Sequence, residues 1–319
     1  MLPSPADNGQ GRRDMPPAQR QALDGHDPAG GMLAAPLAES LAVIPGPPVG
    51  LLQASVDGGG CFARPLPLDL TCAAVARACF REAVDDLGLP ADLVHDGITM
   101  ASELAANTLN AQGNVEFSGD RERPVSGLPE FWLYLRGRGA KCELVCKIFD
   151  SEPGWHGGGQ PSTGIEKAPP EAVSGRGLQV VAGLSAGQWG HHLTRGRLGS
   201  WKVAGKAVWF ALRLPPSTPA ADGRPRLDPS QAANELEAML ADRGLGGSLV
   251  RTTEPGGGMT VLSVSRHLTV WNYGDTASWR APDGSYVRCQ LADLVDVAEQ
   301  IVCAHEDLAA ISGQVSVGA

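Results

Sequence analysis

The chain has 319 residues, 43% hydrophobic and 5% aromatic, with 41 glycines, 25 prolines and a net charge of −9. That length exceeds one average domain and fits about two. The negative balance argues against nucleic-acid or anionic-membrane binding, and no run of about 18 apolar residues is present to span a bilayer. Residues 1–48, rich in Pro, Gly, Ala, Asp and Gln without sustained periodicity, read as a disordered arm. They hold Arg12 and Arg13 but no compact apolar core with a cleavage site, so no secretory signal is expected. The seven cysteines are scattered and odd in number, without a CxxC pair, which predicts reduced structural thiols and a cytoplasmic protein.

One or two short strands are expected between 51 and 66, broken by Gly58-Gly-Gly60. A helix follows over 69–87, with Val75, Cys79 and Val84 as its apolar stripe, and Pro90 starts a second over 91–110. After a loop at 111–129, residues 131–136 and 142–149 read as an antiparallel hairpin turning at Arg138-Gly139. Asp150 closes the second strand. The Gly/Pro-rich run 151–173 is too long for an ordinary connection. A helix then opens at Gly175-Arg-Gly177, and strands near 187–195 and 206–214 end at Pro215-Pro216. Residues 217–228 form a linker. Beyond it a helix at 230–243, strands near 248–253, 259–264, 267–272 and 285–289, and an amphipathic helix at 291–308 make a small α+β module over 229–312, of unassigned role.

The chemistry concentrates in three blocks. In the apolar helix Ile98-Thr-Met-Ala-Ser-Glu-Leu-Ala-Ala-Asn-Thr-Leu109, Glu103 and Asn107 sit one turn apart on the same face. A carboxylate there can orient or deprotonate a hydroxyl, and an amide oxygen suits Mg²⁺, a hard cation. Asp150, at a strand end, can accept from the exocyclic amine of adenine. Glycines at 154, 175 and 177 let backbone approach phosphates, and a helix N-terminus offers unpaired N–H groups and a positive dipole end. The loop between them can close as a lid. Read singly, the residues have plainer uses: Asp150 caps a strand turn, Gly175 and Gly177 serve a tight helix start, and Arg176 is solvated. His191 and His192, adjacent on a strand, face opposite ways and form no metal pair.

In order, these blocks resemble a known superfamily, the gyrase, heat-shock chaperone, histidine-kinase and mismatch-repair ATPases. Ser102-Glu-Leu-Ala-Ala-Asn107 looks like its N box. Phe149-Asp-Ser-Glu-Pro-Gly154 is similar to the next box, although the superfamily pattern is Asp-x-Gly-x-Gly. Ser174-Gly-Arg-Gly-Leu-Gln-Val-Val-Ala-Gly-Leu184 is close to the third, and Gly205-Lys-Ala-Val-Trp-Phe-Ala-Leu-Arg-Leu-Pro215 is similar to the closing strand. The likeness covers roughly 55–215 and is nearest to the small anti-sigma-factor serine-kinase-like proteins. It implies, over 49–216, a Bergerat-type two-layer α/β sandwich with a mixed, mainly antiparallel sheet, binding ATP and Mg²⁺. Carried over, Glu103 is the general base, Asn107 the Mg²⁺ ligand and Asp150 the adenine reader. Gly154, Gly175, Arg176, Gly177 and Leu178 border the nucleotide. Ala207 stands where the family often has a Thr whose hydroxyl assists that Asp, which predicts weaker adenine binding. The resemblance further implies a protein partner, an antagonist or a sigma factor, and allows a homodimer. A histidine kinase is disfavoured, because the arm holds only His26 and no helical hairpin to present it.

Overall fold

A computed structural model describes residues 55–116, 127–152, 176–199, 202–219, 227–254 and 258–317. Asp69 accepts from both the backbone N–H and the hydroxyl of Thr71, starting helix α1 (Cys72–Val84). A short 3₁₀ turn ends at Gly88, whose φ of 64° is a conformation that glycine adopts without a Cβ penalty. Pro90 then leads into helix α2 (Ala91–Glu116). The two helices approach closely because Gly97 has no side chain: a Cβ there would stand 2.1 Å from the ring of Phe80, which is fully buried.

Five strands form the first sheet: β1 (Cys61–Pro65), β2 (Glu130–Arg136), β3 (Glu143–Asp150), β4 (Trp189–Arg195) and β5 (Ala204–Arg213), in the spatial order β1-β2-β3-β5-β4. Every pairing described is antiparallel, so the mixed sheet expected from the resemblance is not what these residues build. The fold class is α+β, with two antiparallel sheets and five α-helices among the described residues. Phe131-Trp-Leu-Tyr-Leu135 is apolar at successive positions because both faces of β2 are covered. Phe131, Leu133, Leu144, Cys146, Ile148 and Phe210 face a core shared with Phe80, Met100, Leu104 and Ala105 of α1 and α2. Helix α3 (Gly177–Leu184) joins that side through buried Val181. Burial lifts the thiols of Cys72 and Cys79 to about 11, which makes them packing groups.

The opposite face of the sheet is equally dry. Trp132, Tyr134, Val145, Phe149, Ala207 and Ala211 lie in one core with the C-terminal residues. There, α4 (Pro229–Leu240) is capped by Asp228, which accepts from the N–H groups of Ser230 and Gln231, and it precedes a meander: β6 (Val250–Thr253), β7 (Met259–Ser265), β8 (Leu268–Tyr273), β9 (Thr276–Arg280) and β10 (Tyr286–Gln290). Sequence reading misses β9, whose Thr276-Ala-Ser-Trp-Arg280 pairs on both sides. Helix α5 (Leu294–Val317) packs on β4 and on β10, and Leu294 to Val302 are almost all buried. The sequence predicts an amphipathic helix here, but α5 lies between two layers and so is covered around its first turns. Of the two tryptophans of this module, Trp279 is buried, while Trp271, like Tyr273 and Tyr286, is exposed on the outer sheet face. No described helix is long and apolar enough to cross a membrane.

Candidate functional site

The helix-facing side of the first sheet carries the residues singled out by the sequence. On α2, Leu104, Ala105 and Thr108 are buried toward the sheet, which leaves Glu103 and Asn107 half-buried along the helix's flank. Arg77 of α1 donates to the hydroxyl of Ser102 at 2.8 Å, tying the first helix to the residue before Glu103. Gly177, the first residue of α3, lies directly against the pair. A Cβ built on Gly177 would stand 2.7 Å from Glu103 Oε2, 3.3 Å from Asn107 Nδ2 and 3.5 Å from Asn107 Oδ1. A side chain at 177 would push the end of the flexible Glu103 side chain aside.

Among the described residues no side chain caps the first turn of α3 and no acidic residue lies in it, so the positive end of the helix lies close to Glu103 and Asn107. Leu178 packs on the helix-side core and Arg176 is exposed at the helix start. A carboxylate, an amide oxygen and a helix N-terminus converge here from segments about seventy residues apart. Such a set suits a phosphate group neutralised by a hard cation, with the carboxylate beside it. The donor set is lean in charge: among the described residues no group of three or more His, Cys, Asp or Glu could hold a metal ion by itself. Gly154, Gly175 and most of the expected lid lie outside the described residues.

Asp150 is 1% exposed at the end of β3 and, by alternation with Phe149, shares the face of Ile148. Its Oδ1 accepts from the N–H of Glu152 at 3.0 Å, the turn-capping role. Its Oδ2 accepts from Lys206 Nζ at 3.0 Å, and Lys206 also donates to the Glu152 carbonyl. Asp150 and Lys206 are directly opposite in the β3–β5 register. The strands come this close because Gly205 lacks a Cβ, which would fall 2.2 Å from the Asp150 carbonyl oxygen. The expectation placed on position 207 is corrected by the same register. Ala207 pairs with Phe149 and is buried in the opposite core, so its side chain cannot reach Asp150. Sequence reading passes over Lys206. Its place two residues before Val208, on the same strand face, is the available signal.

A second polar cluster lies on the other face of the sheet, and no motif announces it. Glu299 of α5, 1% exposed, accepts from Arg243 at 2.5 Å, Thr194 at 2.8 Å and Arg197 at 3.3 Å, with Lys147 Nζ 3.6 Å away. Burial alone would raise its pKa, but these cations outweigh it and hold the carboxyl well below the usual range. The Arg197 and Arg243 guanidinium groups lie over the Trp132 ring at 5.1 and 5.0 Å. Glu130 accepts from Trp132 Nε1 at 2.8 Å and from the N–H of Arg197 at 2.7 Å. Tyr134 donates to Asp296 at 2.9 Å.

The two histidines do face opposite ways: His191 pairs with Val208 on the helix side, and His192 pairs with Ala207 and reaches Glu299 at 3.2 Å. Burial, aided by the Lys147 charge, pushes His192 down from 6.5 to about 4. The unfolded chain therefore takes up a proton at His192 between these values while the folded chain does not. Stability should fall as pH drops from about 6.5 to 4, by up to about 3 kcal/mol from this residue. Urea melts of wild type and His192→Gln across that window check this. A wild-type slope unchanged by the substitution would assign the acid sensitivity elsewhere.

No protein-family model matches the chain, and no curated protein is significantly similar to it.

Proposed function

We propose that this chain is a Mg²⁺·ATP-binding regulatory protein with a Bergerat-type nucleotide domain, similar to the anti-sigma-factor serine kinases. It would act in the cytoplasm on a partner protein, an antagonist or a sigma factor. The observation that carries the reading is the contact of Gly177 with both Glu103 and Asn107. Two of the blocks, about seventy residues apart in the chain, come together there. The helix-covered antiparallel sheet and the buried Asp150 on the same sheet face add support.

Bound Mg²⁺·ATP would supply the γ-phosphoryl group together with the cation that offsets its charge. Asn107 would offer its amide oxygen to the cation, and the first amides of α3 would face the phosphates. Glu103 would hold the proton released by the hydroxyl of a partner serine. Arg176, at the mouth of α3, would lie near the phosphates, and Leu178 would hold the helix against its core.

Titration calorimetry tests the reading. Heat is expected when Mg²⁺·ATP is added to wild type, with affinity about tenfold or more weaker for Asn107→Ala, the loss of one ligand to a charged group. No heat at millimolar nucleotide would end it.

A second reading, a non-catalytic nucleotide sensor, draws on one observation. Strand β4 follows α3 in the chain, and its Thr194 donates to Glu299 of α5. The nucleotide-side helix is thereby joined through a single strand to the C-terminal layers.

A further inference from the structure

We propose that β10 is an open docking edge that takes one more strand, an extended acidic segment of a partner protein. This inference is independent of the nucleotide site. β10 (Tyr286–Gln290) is the last strand of the second sheet and has β9 on one side only. The Ala281 N–H donates to the Ser285 carbonyl, and the Leu291 N–H to the Asp275 carbonyl, which fixes the alternation of the β9–β10 ladder. Val287 and Cys289 therefore exchange hydrogen bonds with β9, while the N–H and C=O groups of Tyr286 and Arg288 point away from it. Among the described residues those outward groups meet no partner, and such an unpaired row is a template for another strand. At the opposite edge β6 has four residues, whereas β10 has five, with no proline and no register shift against β9.

The chemistry of the strand selects the occupant. Arg280 and Arg288 are the only charged side chains of β8 to β10, and both are exposed on the outer face. The Arg280 guanidinium lies 5.7 Å over the Tyr286 ring. Asp283, in the adjoining turn, is taken up by the N–H and hydroxyl of Ser285. A second copy of β10 is a poor fit, because full antiparallel overlap of the five residues sets Arg288 opposite its own copy, two like charges side by side. A strand with a carboxylate at that position is attracted instead. On the inner face Val287 and Cys289 are only half-buried against the core, which leaves them to meet apolar side chains. The segment that fits is extended, acidic on one side and apolar on the other, the alternation by which an added strand is recognised.

The experiment is fluorescence anisotropy of the full chain with fluorescein-labelled octapeptides in which Glu alternates with Val or Thr, beside counterparts with Lys for Glu. The Glu peptides are expected to bind about fivefold or more tighter than the Lys set, and Arg288→Glu to reverse the order. N-methylation of alternate peptide residues separates an added strand from loose attraction of charges. Methylating the set that faces β10 should abolish binding, and methylating the other set should spare it. That series needs no protein variant, and Arg288→Glu changes an exposed side chain, so its urea midpoint should match wild type. No binding of any Glu peptide at millimolar concentration overturns the inference, as does equal binding of the Glu and Lys sets or indifference to N-methylation. A full chain that sediments as a dimer, and as a monomer once Arg288→Pro removes the outward N–H, would make a second copy the occupant and overturn it too. None of these outcomes bears on the nucleotide site.

Discussion

Glu103→Ala is expected to retain Mg²⁺·ATP binding while losing γ-phosphoryl transfer to a co-purifying partner by roughly 10²- to 10⁴-fold, the range for removing a positioned general base. Glu103 is half-buried on α2 and its Oε2 lies against Gly177, so truncation opens space at the start of α3 without exposing core. Binding should change little, because the amide oxygen of Asn107 and the α3 amides are untouched. Transfer is read with radiolabelled ATP and the partner recovered from native lysate in the presence of Mg²⁺·ATP. If wild type labels the partner and the variant does not, the kinase reading holds. If both bind nucleotide and neither labels the partner, the sensor reading replaces it. Gly177→Ala provides a matched probe, since its methyl would press on the same carboxylate oxygen.

Replacing Glu299 should have the largest effect on stability. Glu299→Ala leaves Arg243, Arg197 and Lys147 without their shared carboxylate in a site where Glu299 and both arginines are 2% exposed or less. Removing one member of such a buried cluster destabilises by about 3–5 kcal/mol, because the remaining charges cannot reach water. The loss should appear as a lower urea midpoint, and the double variant Glu299→Leu with Arg243→Met should recover part of it by removing an orphaned cation as well. A loss under about 1 kcal/mol would mean that the apolar contacts around Trp132 and Val297, and not the charges, hold the layers together.

Much of the element order was legible because it depends on local signals. Pro90 and Gly88 punctuate α1 and α2, the hairpin of β2 and β3 declares itself by two β-rich runs, and Asp228 with Pro229 marks the start of α4. Strand β9 escaped because Thr276-Ala-Ser-Trp-Arg280 is short, and its small outward residues give little alternation. The character of α5 also escaped: its acidic residues look like a solvent face in one dimension. Asp296 and Glu299 instead turn toward Tyr134, Arg197 and Arg243 of other segments.

The candidate site divides in the same way. The sequence determined that Glu103 and Asn107 share one helix face, since a four-residue spacing is enough, and that a glycine-flanked helix begins at 177. It also determined which strand ends in Asp150. Only the tertiary structure decided that Gly177 lies against Glu103 and Asn107, that Lys206 and not residue 207 faces Asp150, and that Glu299 gathers cations from β3, from the turn after α4 and from beyond β4. Spacing along a helix or strand is a property of backbone geometry and is written locally. Contact between distant segments depends on strand register and close backbone approach, which the packing of the whole core sets.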